Sequence, residues 1–192
     1  FKDIAFIAPS KWIEKKFYLT KLKKNNSVHI LPSIIDLNSW RLNKNKKNIT
    51  KKIKILFSAT SSVNYRKGFN YLAKAINKIN DNKDIILYVV GDKPKKFDEI
   101  KIQKKFLGHI NSDKKLKNIY NNCHILIVPS VMESFGQIYV EAGSLGLLSI
   151  AFRNTAVEEI INHKKTGYLA KFKSVEDLSN GILWAQDQLQ KK

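Results

Sequence analysis

A chain of 192 residues with 43% hydrophobic side chains can bury a sizeable core, and its formal net charge of +19 makes it strongly basic. A single cysteine, Cys123, excludes an intramolecular disulfide framework and fits a reducing compartment; the four histidines, His29, His109, His124 and His163, stand at no usual zinc-ligand spacing. Apolar runs such as IILYVV and HILIV fall far short of the roughly 18 residues a membrane-spanning helix needs, so a soluble or at most peripheral chain is expected.

The chain opens on Phe1, and its first stretch, IAFIAPS, reads as a strand entered from upstream, as in a piece of a longer protein. Ile4 to Ile7 forms the strand, and Ser10 can cap a helix over SKWIEKKFYLTKLKK by accepting from a free backbone N–H. Trp12, Ile13, Phe17 and Leu22 fall near one face of that helix and six lysines elsewhere. The pattern suits a helix lying in a membrane interface and also a surface helix packed on a sheet; the second is favoured. VHILPSIIDLNSW follows as a strand and an irregular turn at Pro32 and Asp36, and then RLNKNKKNITKK, polar and without period, reads as a linker. The expected divisions are 1–42, a linker over 43–52, a regular unit over 53–180 and a closing helix over 181–192.

From Ile53 the pattern becomes regular. IKILFSAT, DIILYVVG, KKFLGHI, HILIVPS, LLSIAF and GYLA read as strands. Between and after them FNYLAKAINKI, KLKNIYNNC, GQIYVEAGSLG, TAVEEIINH and VEDLSNGILWAQDQLQ read as helices. Continuous apolar strands alternating with helices imply an α/β fold, a Rossmann-like, doubly wound parallel sheet covered on both faces. Ligands of such sheets bind at the carboxyl ends of the strands, where loops lead into helix N-termini.

Charge is distributed unevenly along this plan: residues 1–120 hold 28 Lys+Arg against 9 Asp+Glu, while residues 121–192 hold 7 of each. A basic surface attracts phosphates, anionic lipids or nucleic acid, although solvated lysine-rich faces account for it equally well. Nucleic acid is not the expected partner, because the aromatics mostly occupy core positions of strands and helices instead of an exposed basic platform.

Two loops carry candidate chemistry. Arg66, Lys67 and Gly68 stand directly before a helix, where two cations are unfavourable for the helix alone. An anion there would gain from the dipole, the free N–H groups and both side chains, and Gly68 would let it approach the backbone. The second loop gives Glu133, Ser134, Phe135 and Gly136 at the next helix start, so that backbone N–H groups of Phe135 to Gln137 could meet the same diphosphate. Glu133 would then project beyond the phosphates. Glu141, roughly 7 Å further along the helix, could accept from the two hydroxyls of a ribose. The flanking VEAGSLG is small and apolar, so this face should pack closely; a carboxylate buried there needs partners, none is obvious locally, and that favours a functional reading.

With its preceding VPS and following AGSLG, the Glu-x7-Glu segment ESFGQIYVE resembles the nucleotide-sugar-binding C-terminal domain of a retaining glycosyltransferase of family 4, with the GT-B fold. RKG before a helix and EEIINHKKTGYLA add to the likeness. IAPSKWIEKKF and LPSIIDLNSW likewise resemble the end of the N-terminal acceptor domain and the interdomain connection. The resemblance implies that Glu133 faces the donor sugar and Glu141 holds the ribose. Lys67, with Arg66 beside it, would neutralise the diphosphate. Ser134, Phe135, Gly136 and Gln137 would contact sugar or phosphates, and Gly108, His109 and Ile110 would frame the nucleobase. The sequence departs from the family in lacking a Gly-Arg ahead of the lysine, where it reads FSATSSVNY, and a proline in SLGLLSIAF.

The function so implied is transfer of a hexose from a UDP- or GDP-linked sugar to an acceptor hydroxyl with retention, without metal or other cofactor. The acceptor would be a saccharide or a lipid-linked one in bacterial cell-surface polysaccharide or lipopolysaccharide synthesis. The protein would be cytoplasmic, peripheral at the inner face of the cell membrane and drawn to its anionic surface, with the fragment alone inactive. A non-catalytic nucleotide-sugar-binding domain is the first alternative, and a basic nucleic-acid-binding module the second.

Overall fold

The structure, a computed structural model, describes residues 2–36, 39–41, 52–59, 65–79 and 84–191. Most of the expected linker, 43–51, and residues 60–64 of the FSATSSVNY stretch lie outside the described residues.

The apolar runs become one parallel sheet. Its strands are β3 (Ile53–Ala59), β4 (Ile85–Gly91), β5 (Gln103–Gly108), β6 (Ile125–Ile127), β7 (Leu148–Phe152) and β8 (Gly167–Ala170), in the order β5-β4-β3-β6-β7-β8. The central strands are buried on both faces: Ile55, Leu56, Phe57, Leu87, Leu126 and Ile150 are wholly inaccessible. Such residues cannot alternate between core and solvent, which is why the sequence reads as continuous apolar stretches.

The helices are α2 (Phe69–Lys78), α3 (Asp113–Asn121), α4 (Gln137–Ser144) and α5 (Val175–Gln190). Chain direction assigns their faces. The path β3–α2–β4 runs one way along the sheet and β6–α4–β7 the other, so right-handed crossovers place α2 and α4 on opposite faces. Helix α5 packs with α2, and Ser179 Oγ donates to the Ala75 carbonyl between them. It begins at Val175, ahead of the boundary expected at 181, and buries Leu178, Ile182 and Ala185 as part of the same core.

Two expected helices are shorter than the sequence suggests. The first, α1 (Lys11–Tyr18), ends before Thr20, whose Oγ1 donates to the Phe17 carbonyl and accepts from the Leu22 N–H at the start of a separate 3-10 turn. A threonine hydroxyl here competes with continued helical bonding. TAVEEIINH forms only a 3-10 turn, Ala156–Glu159, because its polar groups serve neighbouring segments. The Ala156 N–H donates to the Glu133 carbonyl, Glu158 accepts from the Asn154 N–H, and the Glu159 carboxylate faces α1.

Ahead of the main sheet, β1 (Ala5–Ala8) pairs in parallel with β2 (Ser27–Ile30). Of the two packings open to α1, a protein contact is found: Phe17 is its buried residue, and Trp12 Nε1 donates to the Asn154 carbonyl at 2.9 Å.

Candidate functional site

Strand order reverses direction between β3 and β6, and the crevice beyond their carboxyl ends is where an open α/β sheet binds ligands. A cavity of about 430 Å³ lies there, within the range of small-molecule sites. Its walls come from the end of β3 (Ser58, Ala59), the following loop (Arg66, Lys67), α3 (Leu116, Tyr120), the loop after β6 (Glu133) and α4 (Gln137, Ile138, Glu141).

The loops after β3 and β6 are tied together. The Val131 N–H donates to the Arg66 carbonyl at 2.8 Å, and Lys67 Nζ stands 2.9 Å from Glu133 Oε2. The same carboxylate oxygen accepts from Ser130 Oγ at 3.3 Å. The Glu133 side chain is 13% exposed and that of Lys67 27%, so this ion pair is better shielded from solvent than the other salt bridges among the described residues. Behind it Tyr139, fully buried on α4, donates from its hydroxyl to the Val128 carbonyl. Burial first, and then the Glu133 charge, hold that phenol well above its ordinary value, so it remains a donor.

On α4, Glu141 Oε1 accepts from Gln137 Nε2 at 3.0 Å, one helical turn back. Burial raises the Glu141 pKa; the Gln137 hydrogen bond opposes it, Asp113 adds to it and Lys117 opposes it. Tyr120, whose phenol is also raised mainly by burial, hydrogen-bonds Ser58 on the intervening wall. Trp40, from the connection ahead of the linker, packs edge-on against Tyr120 with ring centroids 5.5 Å apart and so supports that wall.

The structure thus brings Arg66, Lys67, Glu133, Gln137 and Glu141 to one cavity and leaves other expected residues beside it. Gly68 and Gly136 both adopt positive φ, at 74° and 96°. Their lack of a side chain is required by the protein's own packing: a Cβ on Gly68 would strike the Pro129 carbonyl, and one on Gly136 would meet the Tyr139 ring and Val157. Ser134 is exposed and its carbonyl accepts from Ser10, Phe135 is half-buried, and neither lines the cavity. Gly108, His109 and Ile110 end and follow β5 outside the lining, with His109 Nε2 paired to Asp92 Oδ1 at 2.6 Å and Ile110 packed on the core. Ser58, Ala59, Leu116, Tyr120 and Ile138 were not anticipated from sequence. Only the position of Ser58 at a strand's carboxyl end signalled it.

A parallel sheet with a polar, charge-bearing crevice at its switch point is an open α/β architecture, and it matches that of GT-B glycosyltransferase structures. The chain belongs to the family described as glycosyl transferases group 1, whose pattern matches residues 39–191. It is 29% identical over 126 residues to an uncharacterized glycosyltransferase of Methanocaldococcus jannaschii, a match covering 62% of this chain and 32% of that protein. Among solved structures, sucrose-phosphate synthase from Thermosynechococcus elongatus superposes with a TM-score of 0.77 at 20% identity, over 95% of this chain and 50% of its own. Anabaena HepE in complex with UDP and glucose gives 0.76 at 18% identity, over 96% and 54%. The chain therefore corresponds to about half the length of these structures and about a third of the archaeal relative. No described helix is long and apolar enough to cross a membrane.

Glu141 allows a test that needs no ligand. Its raised pKa means that the folded state holds the proton more tightly than the unfolded chain, so stability falls as pH rises from the unfolded carboxyl value, about 4.3, through the higher folded one. Glu141→Gln should therefore be more stable than the parent to urea at pH 7, with the advantage fading below about pH 4. A variant less stable at pH 7 would contradict this placement of the carboxylate.

Proposed function

We propose that the chain is the donor-binding half of a retaining glycosyltransferase of family 4, which moves a hexose from a UDP- or GDP-linked sugar to an acceptor hydroxyl. The observation that carries this reading is the Lys67–Glu133 ion pair lining the same switch-point cavity as Glu141. The Anabaena neighbour, solved with UDP and glucose, favours a UDP-linked donor.

The barrier in such a transfer is departure of the nucleoside diphosphate. Positive groups fixed where charge grows on the leaving oxygen lower it without having to reorganise. A lysine ammonium has three N–H donors, and one on Lys67 Nζ is directed to Glu133, so another can meet a phosphate oxygen. Arg66 and the first N–H groups of α4 would add positive potential to the same region. Held by Lys67 and Ser130, Glu133 would present its carboxylate to the sugar and stabilise an oxocarbenium-like state. Glu141 would accept from the ribose hydroxyls, and those bonds would offset the cost of its burial.

The acceptor is proposed to be a saccharide or lipid-linked saccharide of cell-surface polysaccharide or lipopolysaccharide synthesis. The basic excess of residues 1–120 would hold the cytoplasmic protein against anionic lipid. Vesicles rich in anionic lipid should retain the full-length protein at low salt and release it as salt rises; equal recovery with neutral vesicles would contradict that assignment.

In the full-length protein, Glu133→Gln should leave UDP affinity within about twofold while lowering sugar transfer by about 100-fold or more, the scale seen when a transition-state contact is removed. Turnover at the parent rate would contradict the role given to Glu133.

A further inference from the structure

Glu133 lies in a segment, residues 131–136, without regular secondary structure, so its placement depends on individual hydrogen bonds. Two of these hold consecutive carbonyls from different parts of the chain. The Ala156 N–H donates to the Glu133 carbonyl at 3.2 Å. Ser10 Oγ donates to the Ser134 carbonyl at 2.6 Å, across 124 residues of sequence.

Ser10 was expected only as a helix cap, and it is one: its Oγ accepts from the Ile13 N–H at 3.2 Å. A cap needs only the oxygen, however, and can sit in water. Here the serine is 3% exposed and its proton is committed to the loop that carries Glu133. The start of α1 is fixed where this bond can form. The Glu159 carboxylate accepts from the N–H groups of Lys11 and Trp12 at 3.1 and 2.9 Å, a favourable charge at a helix N-terminus, and Trp12 Nε1 is bonded to the Asn154 carbonyl. Glu159 belongs to the same 3-10 turn whose Ala156 holds the Glu133 carbonyl. One turn therefore holds the Glu133 carbonyl directly and the Ser134 carbonyl through the start of α1.

We propose that Ser10 is a positioning residue: its hydroxyl, placed by the Glu159 cap on α1, fixes the 131–136 segment so that Glu133 faces the donor sugar. The assignment rests on the glycosyltransferase reading for what Glu133 does, but not for whether Ser10 orders the segment. It also gives the portion ahead of the linker a direct hold on the donor site.

The test uses the full-length protein carrying Ser10→Ala, Ser10→Asp or Ser10→Thr. Aspartate keeps an acceptor for the Ile13 N–H but has no proton for the Ser134 carbonyl at neutral pH, whereas threonine keeps both functions. Amide hydrogen exchange across 131–136 should rise about fivefold or more in the Ala and Asp variants, the scale of one lost hydrogen bond, and stay near the parent in Thr. Affinity for UDP-glucose should fall several-fold in the same two variants while affinity for UDP itself holds. Parent-like exchange in Ser10→Asp would overturn the proposal. An equal rise in β4 would also overturn it, since Ser10 would then serve only general stability. If the parent bound neither UDP nor UDP-glucose, the donor reading would fall, while the exchange comparison would still decide the role of Ser10.

Discussion

The ion pair between Lys67 and Glu133 is the contact on which the account of this domain depends. It joins the loops that leave the two central strands, β3 and β6, at the point where the order of the sheet reverses. A surface pair of this kind would contribute little to stability. This one is largely shielded, further bonded by Ser130 and backed by Tyr139, so its value lies in fixing where a cation and a carboxylate stand relative to one another. A ligand that needs both, a diphosphate with a sugar attached, would find them placed in advance.

The rest of the fold makes that placement possible. Buried strands leave few ways for their loops to shift, and the positive-φ glycines let the loops turn tightly against neighbouring atoms: Gly68 against Pro129, Gly136 against Tyr139 and Val157. Glu141 is partly desolvated, with the Gln137 amide as its side-chain hydrogen-bond partner among the described residues, a cost that ribose hydroxyls would relieve under the proposed reading. Strain of this sort is tolerated where function requires it.

Much of this was legible in the sequence, for identifiable reasons. Double-sided burial writes itself into runs such as IILYVVG, so all six strands of the main sheet were readable in their order along the chain. The carboxylates of ESFGQIYVE stood out because charge is unusual in an otherwise apolar run, Glu133 ahead of the helix and Glu141 within it. Tertiary contacts were less readable. TAVEEIINH has helical composition, yet the Ala156 N–H and the Glu159 carboxylate bond to distant segments and Glu158 bonds the Asn154 N–H just ahead, leaving only a 3-10 turn. Tyr120 reads as an ordinary apolar position of an amphipathic helix; only its distance from β3 in the fold makes it a cavity wall bonded to Ser58. Ser10 likewise reads as a local cap, and its bond across the chain to Ser134 has no sequence signature at all.

The central claim, that the β3–β6 crevice holds the diphosphate of a nucleotide sugar through Lys67, is tested most directly by calorimetric titration of the full-length protein with UDP. The parent protein should bind UDP, and Lys67→Ala should weaken binding by about tenfold or more, since a charge-assisted bond to phosphate is lost. A parent that does not bind UDP, GDP or their sugars, or UDP affinity unchanged in Lys67→Ala, would contradict it.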